Sequence, residues 1–507
     1  MIFTLLLGFG VLLLIYYWIT MKPKNFPPGQ KHVCSKKPTN KRQNVTATGP
    51  PFLPLLGSAL FVPMKMLHVT MADEWRRKYG PVVGLFLGPK LAIAVCGPNE
   101  ILEVLRREEF QARPDGVFFK DRSFGKKLGL IMSDGPYWVE QRRFTLRHLR
   151  NFGFGKTSME GLILDQVEDI VKEMKDHPIM QVNGLFNVSA LNVLWSMIAG
   201  VTYERDDARL KYLFEKLNES FRLGNASGNV VNTFPILKKI APRLSGYKPF
   251  LESVKDLQDF FREIINEHEK TIDENNPRDL IDVYLREMKQ QSSKPDTTFT
   301  VESLITLCLD IFSAGSETTS NTLSFIMLYM VLYPTVQAKV QRELDAVIGR
   351  DRRPSLEDRP RLPYVEAVLA EQMRVSTTLP ITAPHRADTD THLNGYFIPK
   401  DTMVVLSLYS LFQNKEHWGD PETFRPERFL DANGRFVQDE WVIPFGLGKR
   451  MCTGEGVARS TTFLFFTTLL QQFTFSVPEG DPPPSTAPLS GVTLTPAPFR
   501  IKITTRA

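Results

Sequence analysis

The sequence predicts a mainly α-helical fold with a minor β portion, in the α+β class. Apolar residues recur with helical spacing over long stretches of the chain. One stretch, Val301 to Tyr333, is apolar on nearly every face and stops before Pro334. Such a helix would be about 50 Å long, so we expect it to run through the middle of the protein. Strand-like segments are few and short.

The first 21 residues are predicted to form a transmembrane anchor. They carry no charged side chain, and spanning a bilayer takes about 20 apolar residues. A cleaved signal peptide is the alternative, but a basic start and a small-residue cleavage site are missing, and Tyr16, Tyr17 and Trp18 suit a membrane interface. Positive charges follow directly, which predicts a single-pass topology with the body of the protein in the cytosol.

Residues 22–51 are predicted to form a basic, proline-rich hinge that leads into one catalytic domain, residues 52–507. The prolines of Pro27-Pro28-Gly29 and Gly49-Pro50-Pro51 favour stiff extended segments. The hinge holds the positive residues that account for the net charge of +6, so a basic nucleic-acid-binding face is not required. These residues are Lys22, Lys24, Lys31, Lys36, Lys37, Lys41 and Arg42.

The four cysteines are widely spaced and include no Cys-x-x-Cys pair, which argues against a disulfide scaffold and a structural zinc site.

After the hinge, Val82 to Leu87 and Leu91 to Val95 are predicted to form a hairpin across Gly88-Pro89-Lys90. Helices and late strands follow. The predicted helices are Leu162 to Lys175, Lys248 to Lys270, Val301 to Tyr333, Thr335 to Val347 and Gly456 to Gln472, and the predicted strands are Thr402 to Leu406 and Phe499 to Thr504.

The strongest chemical signal is the segment from Phe445 to Gly454, which contains Cys452. A buried cysteine is usually a small hydrophobic residue. Here the surroundings suit a thiolate that ligates iron: Phe445 can cover the sulfur, Gly448 and Gly454 permit a tight loop, and Arg450 can pair with a porphyrin carboxylate. The helix that follows adds its positive N-terminal end.

The pattern Phe-x-x-Gly-x-Arg-x-Cys-x-Gly resembles the haem-ligand loop of the cytochrome P450 family. The resemblance implies the cytochrome P450 fold, haem b with Cys452 as the axial metal ligand, and a long central helix over the haem. It extends to Glu371 and Arg374, one helical turn apart, and to Arg428 in the loop after Asp420. Alone, such an ion pair is commonplace. The resemblance implies a buried structural triad.

Within the long helix, Ala314-Gly315-Ser316-Glu317-Thr318-Thr319 places residues of low helix propensity in the interior. A kink caused by threonine hydrogen bonds to the backbone is one interpretation. The other is a functional site, because the string resembles the acid-alcohol pair of the family. The resemblance implies that Glu317 and Thr318 are catalytic and relay protons to iron-bound dioxygen.

Two further groups of residues are predicted to bind haem and an electron donor. Trp138 and Arg142 share a helix face and resemble the family's haem-propionate ligands, as do Arg113 and His385 by position. A second row on the helix of Trp138 is a solvated face or a docking surface for an acidic electron donor. This row comprises Arg143, Arg147 and Arg150.

The reaction implied is insertion of one oxygen atom from O2 into an apolar small molecule, by hydroxylation or epoxidation. Electrons would come from NADPH through a separate NADPH-cytochrome P450 reductase, with cytochrome b5 as a second donor, at the endoplasmic reticulum membrane. Terpenoids, steroids, fatty acids and xenobiotics are candidate substrates. The segments that line the family's pocket suggest Phe118, Phe119, Phe124, Phe312, Ile381, Val492 and Thr493 as pocket residues.

The string Thr377 to Thr402 resembles insect members of the microsomal group, including one that epoxidises methyl farnesoate in juvenile hormone synthesis. Residues 30–48 depart from the family's hinge pattern, as an insert or a misread intron. Two other functions stay open at this point: a haem-thiolate isomerase that needs no redox partner, and a membrane-anchored lipid carrier without chemistry.

Overall fold

The computed structural model describes residues 8, 10, 25–27, 49–51, 53, 56–63, 66–155, 159–223 and 230–506. The predicted anchor and the predicted insert at residues 30–48 therefore lie almost wholly outside the described residues. Among the described residues, no single helix has the length and apolar composition to cross a membrane. One pair, Val301–Leu332 and Pro334–Val347, passes that test only when both helices are taken together across a bend of 106°.

The fold is mostly helical. Helix α1 combines Leu67–Val69, a π-helical segment Thr70–Trp75, and Arg76–Tyr79. The other α-helices of the described residues are α2 (Pro98–Arg106), α3 (Val117–Asp121), α4 (Gly135–Asn151), α5 (Met159–Asp176), α6 (Asn187–Ile198), α7 (Ala208–Leu223), α8 (Val230–Thr233), α9 (Leu237–Ile240), α10 (Tyr247–Thr271), α11 (Leu280–Gln290), α12 (Val301–Leu332), α13 (Pro334–Val347), α14 (Pro363–Ser376), α15 (Leu408–Phe412), α16 (Lys415–Trp418) and α17 (Glu455–Gln472).

Helix α12 is the predicted central helix. The Thr300 side chain caps its start by accepting a hydrogen bond from the backbone N–H of Ser303. It ends where Pro334 begins α13, since proline is tolerated in a first turn but not in a helix interior. Most of its residues are buried, and α6, α10, α14 and α17 pack around it. The predicted position at the centre of the protein is confirmed.

The strands are short and lie in small sheets. They are β1 (Val82–Leu87), β2 (Lys90–Val95), β3 (Ile179–Gln181), β4 (His385–Arg386), β5 (Thr391–Leu393), β6 (Tyr396–Ile398), β7 (Met403–Leu406), β8 (Phe473–Ser476), β9 (Pro488–Leu489), β10 (Thr495–Pro496) and β11 (Arg500–Thr505). The largest sheet has the order β1-β2-β7-β4, and β3-β11-β8 form a second one. Pairs β5-β6 and β9-β10 stand apart.

The predicted hairpin is confirmed as β1 and β2, which pair antiparallel from Val82 with Val95 to Leu87 with Lys90. Strand β2 also pairs in parallel with β7, starting at Ala92 with Met403. This second pairing joins chain segments about 300 residues apart. Because β7 also pairs with β4, it places His385 in the same sheet as the N-terminal hairpin.

Candidate active site

The loop that carries Cys452 is held tightly against the protein. Gly448 adopts a positive φ of 71°, and a Cβ there would clash with the backbone carbonyl oxygen of Leu105, so only glycine fits. The Cys452 backbone N–H donates to the carbonyl oxygen of Phe445 at 2.9 Å, which closes the loop. The sequence prediction of a glycine-dependent loop agrees with this geometry.

The Cys452 side chain is exposed to a cavity, while the protein that surrounds the sulfur still desolvates it. Burial raises the pKa of the thiol, whereas the backbone amides of Gly454 and Glu455 and the Arg142 guanidinium act in the opposite direction. Helix α17 begins directly after these amides, so its positive end also faces the sulfur. Donors aimed at sulfur stabilise a thiolate once a metal binds it.

The cavity has a volume of about 310 Å³. Helix α17 and the cysteine loop contribute Cys452, Gly454 and Val457 to its wall, and the central helix contributes Ala314 and Thr318. The thiol and the Thr318 hydroxyl therefore border one enclosed space.

A cluster of basic residues lies at the same cavity. Arg113, His385 and Arg450 line it, and the Trp138 indole lies under Arg450, with 3.8 Å between the guanidinium carbon and the ring centroid. Arg142 lies 5.4 Å from the same ring and donates to the carbonyl oxygen of Met451 at 2.9 Å. The predicted propionate ligands are thus brought together, although they come from four separate parts of the chain.

The charged forms of these basic residues are disfavoured. Burial, with repulsion from Arg113 and Arg142, lowers the pKa of Arg450 to about 9, and burial lowers that of Arg113 to about 10. Burial and the same kind of repulsion hold the pKa of His385 well below its usual value. Trp138 Nε1 and Arg450 Nη1 are buried without a partner among the described residues. Unpaired buried donors and repelling cations call for an anion.

The two carboxylates of haem fit this requirement, and a thiol at the same cavity fits its iron. Carboxylates beside Arg113 and Arg450 would offset the repulsion that lowers the pKa of His385. The imidazole already donates from Nδ1 to the carbonyl oxygen of Phe110 at 2.8 Å, so a protonated Nε2 would be free to donate to a carboxylate.

Glu317 and Thr318 lie next to each other on the central helix but face different surroundings. The Thr318 hydroxyl borders the cavity and donates to the carbonyl oxygen of Ala314 at 2.7 Å. The Glu317 carboxyl is buried outside the cavity wall, and burial raises its pKa to about 7. The threonine hydrogen bond to the backbone is therefore present, yet the helix continues unbroken through this segment. An acid that titrates near neutral pH suits proton transfer.

The triad of Glu371, Arg374 and Arg428 is assembled and buried. Arg374 donates two hydrogen bonds to the Glu371 carboxylate, at 2.7 and 2.8 Å, and Arg428 donates a third at 3.2 Å. The guanidinium groups also bind backbone carbonyls, including those of Phe412 and Trp418. Helix α14 is thereby tied to the loop that precedes the cysteine segment.

None of the seven predicted pocket residues belongs to the wall of this cavity, which is the predicted haem site, so their assignment to a substrate pocket stays a prediction. Phe312 points away from the cavity face of the central helix and stacks on Phe214 with 5.5 Å between ring centroids. Phe118 stacks on Phe250. Ile381 packs beneath the large sheet. Phe124 packs against the main core, and Val492 donates to a backbone carbonyl. The remaining two predicted residues are Phe119, in the main core, and Thr493, which binds Glu317.

Asp310, which the sequence analysis missed, borders the cavity from the central helix. Its buried carboxylate accepts hydrogen bonds from the backbone N–H groups of Leu130 and Ile131, at 2.6 and 2.9 Å, and from Arg122 at 2.5 Å. Leu130 and Ile131 also line the cavity, so Asp310 fixes part of its wall. A lone carboxylate in the apolar run from Leu307 to Phe312 was a usable signal, since a buried charge needs partners.

The second basic row on α4 is exposed. Arg143, Arg147 and Arg150 form no salt bridge with any residue that the structure describes. The predicted solvated or docking face is thus available on the helix that carries Arg142 beside the cysteine loop.

A cysteine, basic residues suited to bind carboxylates and a long helix border one cavity, an arrangement typical of a haem-thiolate enzyme. The family model described as "Cytochrome P450" matches residues 48–503, and the chain belongs to the cytochrome P450 family. It is therefore a monooxygenase that uses haem with a cysteine thiolate and electrons from a reductase partner. Membership of this family excludes the hypothesis of a non-catalytic lipid carrier. It also favours the monooxygenase hypothesis over the isomerase hypothesis.

Similar proteins agree with that membership. The chain is 44% identical over 461 residues to farnesoate epoxidase from Bombyx mori, a match that covers 89% of this chain and 92% of that protein. It is 35% identical over 515 residues to probable cytochrome P450 303a1 from Drosophila melanogaster, covering 98% of each. It is 36% identical over 509 residues to human cytochrome P450 2J2, covering 98% of this chain and 95% of that protein.

Proposed function

We propose that this monooxygenase epoxidises an apolar terpenoid and that methyl farnesoate is its substrate. The similarity to a protein named farnesoate epoxidase supports the terpenoid class. The resemblance of the string Thr377 to Thr402 to an insect enzyme that epoxidises methyl farnesoate supports the ester. The cavity supports it, because Leu130, Ile131 and Leu379 give the wall beside Thr318 an apolar character suited to an isoprenoid chain.

The residues divide into three roles in this proposal. Haem, when bound, supplies the activation of dioxygen and the transfer of one oxygen atom. Cys452 ligates its iron, under Phe445 and the amides that follow. Arg113, Trp138, Arg142, His385 and Arg450 bind and orient its carboxylates.

The third role is proton transfer on the central helix. The Thr318 hydroxyl holds a water molecule at the cavity, and the Glu317 carboxyl supplies the proton.

The substrate proposal is tested by titrating the holoenzyme with methyl farnesoate and following the Soret band, then adding reductase and NADPH. We expect a saturable spectral change and a product heavier by one oxygen atom. Farnesoic acid, whose anion is the farnesoate in the name of the Bombyx mori relative, is the competing substrate, and its turnover in place of methyl farnesoate would refute the ester. Methyl dodecanoate, which keeps the ester but has no double bond to epoxidise, is the control. Turnover of steroids or fatty acids without turnover of methyl farnesoate would refute the assignment.

Thr318→Ala is expected to uncouple the reaction rather than stop it. Without the hydroxyl, proton delivery at the cavity is misdirected, so consumption of NADPH stays near normal while product falls and hydrogen peroxide rises. Stability should change by about 1 kcal/mol or less, since the hydroxyl lost is bonded only to its own helix. The measurement is product and peroxide per NADPH consumed.

Thr318→Ser is the matched control for that variant, because it keeps the hydroxyl and should stay coupled. If Thr318→Ala left product per NADPH unchanged and only weakened substrate binding, Thr318 would be a wall residue and not a proton relay.

We propose that Arg143, Arg147 and Arg150 dock NADPH-cytochrome P450 reductase, and that cytochrome b5 uses the same face. Their exposure and the absence of salt bridges to them from the described residues support this, because an acidic partner would meet three available cations near the cysteine loop. Charge reversal at Arg147 would then slow reduction by the reductase while reduction by dithionite stays unchanged.

We propose further that residues 1–21 anchor the protein in the endoplasmic reticulum membrane, that residues 22–51 form the hinge, and that residues 52–507 form a cytosolic catalytic domain. The uncharged N-terminal segment and the positive residues after it support this topology. Release of the protein from microsomes by alkaline carbonate would contradict the anchor.

A further inference from the structure

A C-terminal hairpin reaches the central helix at the proposed catalytic acid. This hairpin, formed by β9, β10 and the turn between them, carries Thr493, which is 4% exposed. Its hydroxyl donates to Glu317 Oε1, with 2.5 Å between the oxygens. The other carboxyl oxygen, Oε2, is buried without a partner in the described part of the chain. The hairpin thus supplies the shortest hydrogen bond that Glu317 receives.

A second tie lies one helical turn further along. Asn321 Nδ2 donates to the Thr495 hydroxyl at 3.1 Å and lies 3.5 Å from Glu317 Oε1. The same hairpin also contacts the cavity wall, because the Leu494 backbone N–H donates to the carbonyl oxygen of Thr378 at 2.8 Å. Thr378 lines the cavity, so a ligand that moves this part of the wall would also move Thr493.

The surroundings of Glu317 contain little charge. Arg222, at the end of α7, is the charged group whose field lowers the Glu317 pKa. Helix α6 presents uncharged side chains to this stretch, with Leu194 against Gly315 and Asn187 accepting a hydrogen bond from Ser320. The hairpin presents threonines. The hydroxyl of Thr493 therefore has a large share in setting the ionisation of this carboxyl, and its hydrogen bond favours the ionised form.

We propose that Thr493 is a positioning residue that holds the Glu317 carboxyl against the hairpin, outside the cavity, and releases it for proton delivery when the hairpin shifts. The inference rests on the proposed role of Glu317 as proton donor. On release, the proton passes from the carboxyl to water at the Thr318 hydroxyl, and the carboxylate regains a proton from solvent. No electron or bond between heavy atoms is exchanged in this step. Substrate contact with the Thr378 side of the cavity would thereby be coupled to proton supply.

The direct test is infrared titration of the haem-loaded protein. The carbonyl band of protonated Glu317 is identified by its loss in Glu317→Gln, and its midpoint is compared in the parent, Thr493→Val and Thr493→Ser. Removing a hydrogen bond that favours the carboxylate should raise the midpoint in Thr493→Val by about one pH unit. Thr493→Ser, which keeps the hydroxyl, should leave it unchanged. An unchanged midpoint in Thr493→Val overturns the proposal.

Two controls guard against a purely structural effect. Thr495→Val removes the neighbouring tie without touching Glu317 and should not move the midpoint, whereas an equal rise there would overturn the specific role of Thr493. Haem content and the reduced carbon monoxide spectrum report whether each variant folds. Thr493→Ala replaces Thr493→Val if the latter does not retain haem.

The functional arm measures product per NADPH against pH. In Thr493→Val we expect its midpoint to shift upward together with the infrared midpoint, with substrate affinity changed less than twofold. A shifted infrared midpoint with an unshifted coupling profile overturns the release step if Glu317→Gln is uncoupled. If Glu317→Gln stays fully coupled, the proton-donor role in the proposed function fails, and the positioning role falls with it.

Discussion

Cys452→Ser is expected to abolish monooxygenase activity while leaving the protein folded. An alcohol is a poor donor to ferric iron, and the amides and Arg142 that surround the sulfur position are arranged around an anion that serine does not provide. The measurement is the spectrum of the reduced carbon monoxide complex, in which thiolate ligation gives a strongly red-shifted Soret band. We expect this band to be lost and product formation to fall below detection.

Cys308→Ala is the matched control, because Cys308 is buried in the main core and does not border the cavity. It should keep both the red-shifted band and the activity, apart from a small loss of stability. Retained turnover in Cys452→Ser would refute the assignment of the axial ligand.

Glu371→Gln is expected to destabilise the protein by about 3–5 kcal/mol, because it leaves Arg374 buried with uncompensated charge and Arg428 with Asp420 as its remaining carboxylate. Arg374 and the Glu371 carboxylate are fully buried, so water cannot replace the lost partner. The loop that precedes the cysteine segment should loosen as a result. We expect little haem in the purified protein and a much lower unfolding temperature.

Lys339→Ala tests whether that loss is specific to the buried triad. Lys339 forms an exposed ion pair with Glu427 in the same region, and exposed pairs contribute little to stability. This variant should bind haem normally. Normal haem content and near-parent stability in Glu371→Gln would show that the triad does not hold the scaffold.

Much of the fold follows from patterns that the sequence displays openly. The central helix was predicted as Val301 to Tyr333 and ends at Leu332, because a long apolar run and a proline leave little choice of boundary. The parallel pairing of β2 with β7 and the two-residue strand at His385 were not predicted. Strands this short have no periodicity, and their pairing depends on segments far away in the chain.

The residues of the candidate site also differ in how far the sequence predicts their positions. Motif residues such as Cys452 and Trp138 could be placed because a loop or a helix face fixes their direction. The pocket residues stay a prediction, since a family resemblance identifies a segment but not the direction of each side chain. Phe312 packs among other aromatic rings, and Thr493 binds an acid.

The cation cluster has a consequence for how the protein is made. Arg450 donates to the carbonyl oxygen of Gln111, a partner 339 positions earlier, and Arg113 donates to that of Pro384, 271 positions later. During synthesis the N-terminal part emerges first, so Arg113 and Trp138 wait without these partners until nearly the whole chain has left the ribosome. The basic cluster that would bind the haem carboxylates is therefore complete only after Arg450 has been synthesised. Truncation before Arg450 would leave Arg113 with its carbonyl partners but remove Arg450 and Cys452, so the cluster could not be completed and the chain would be a substrate for quality-control proteolysis.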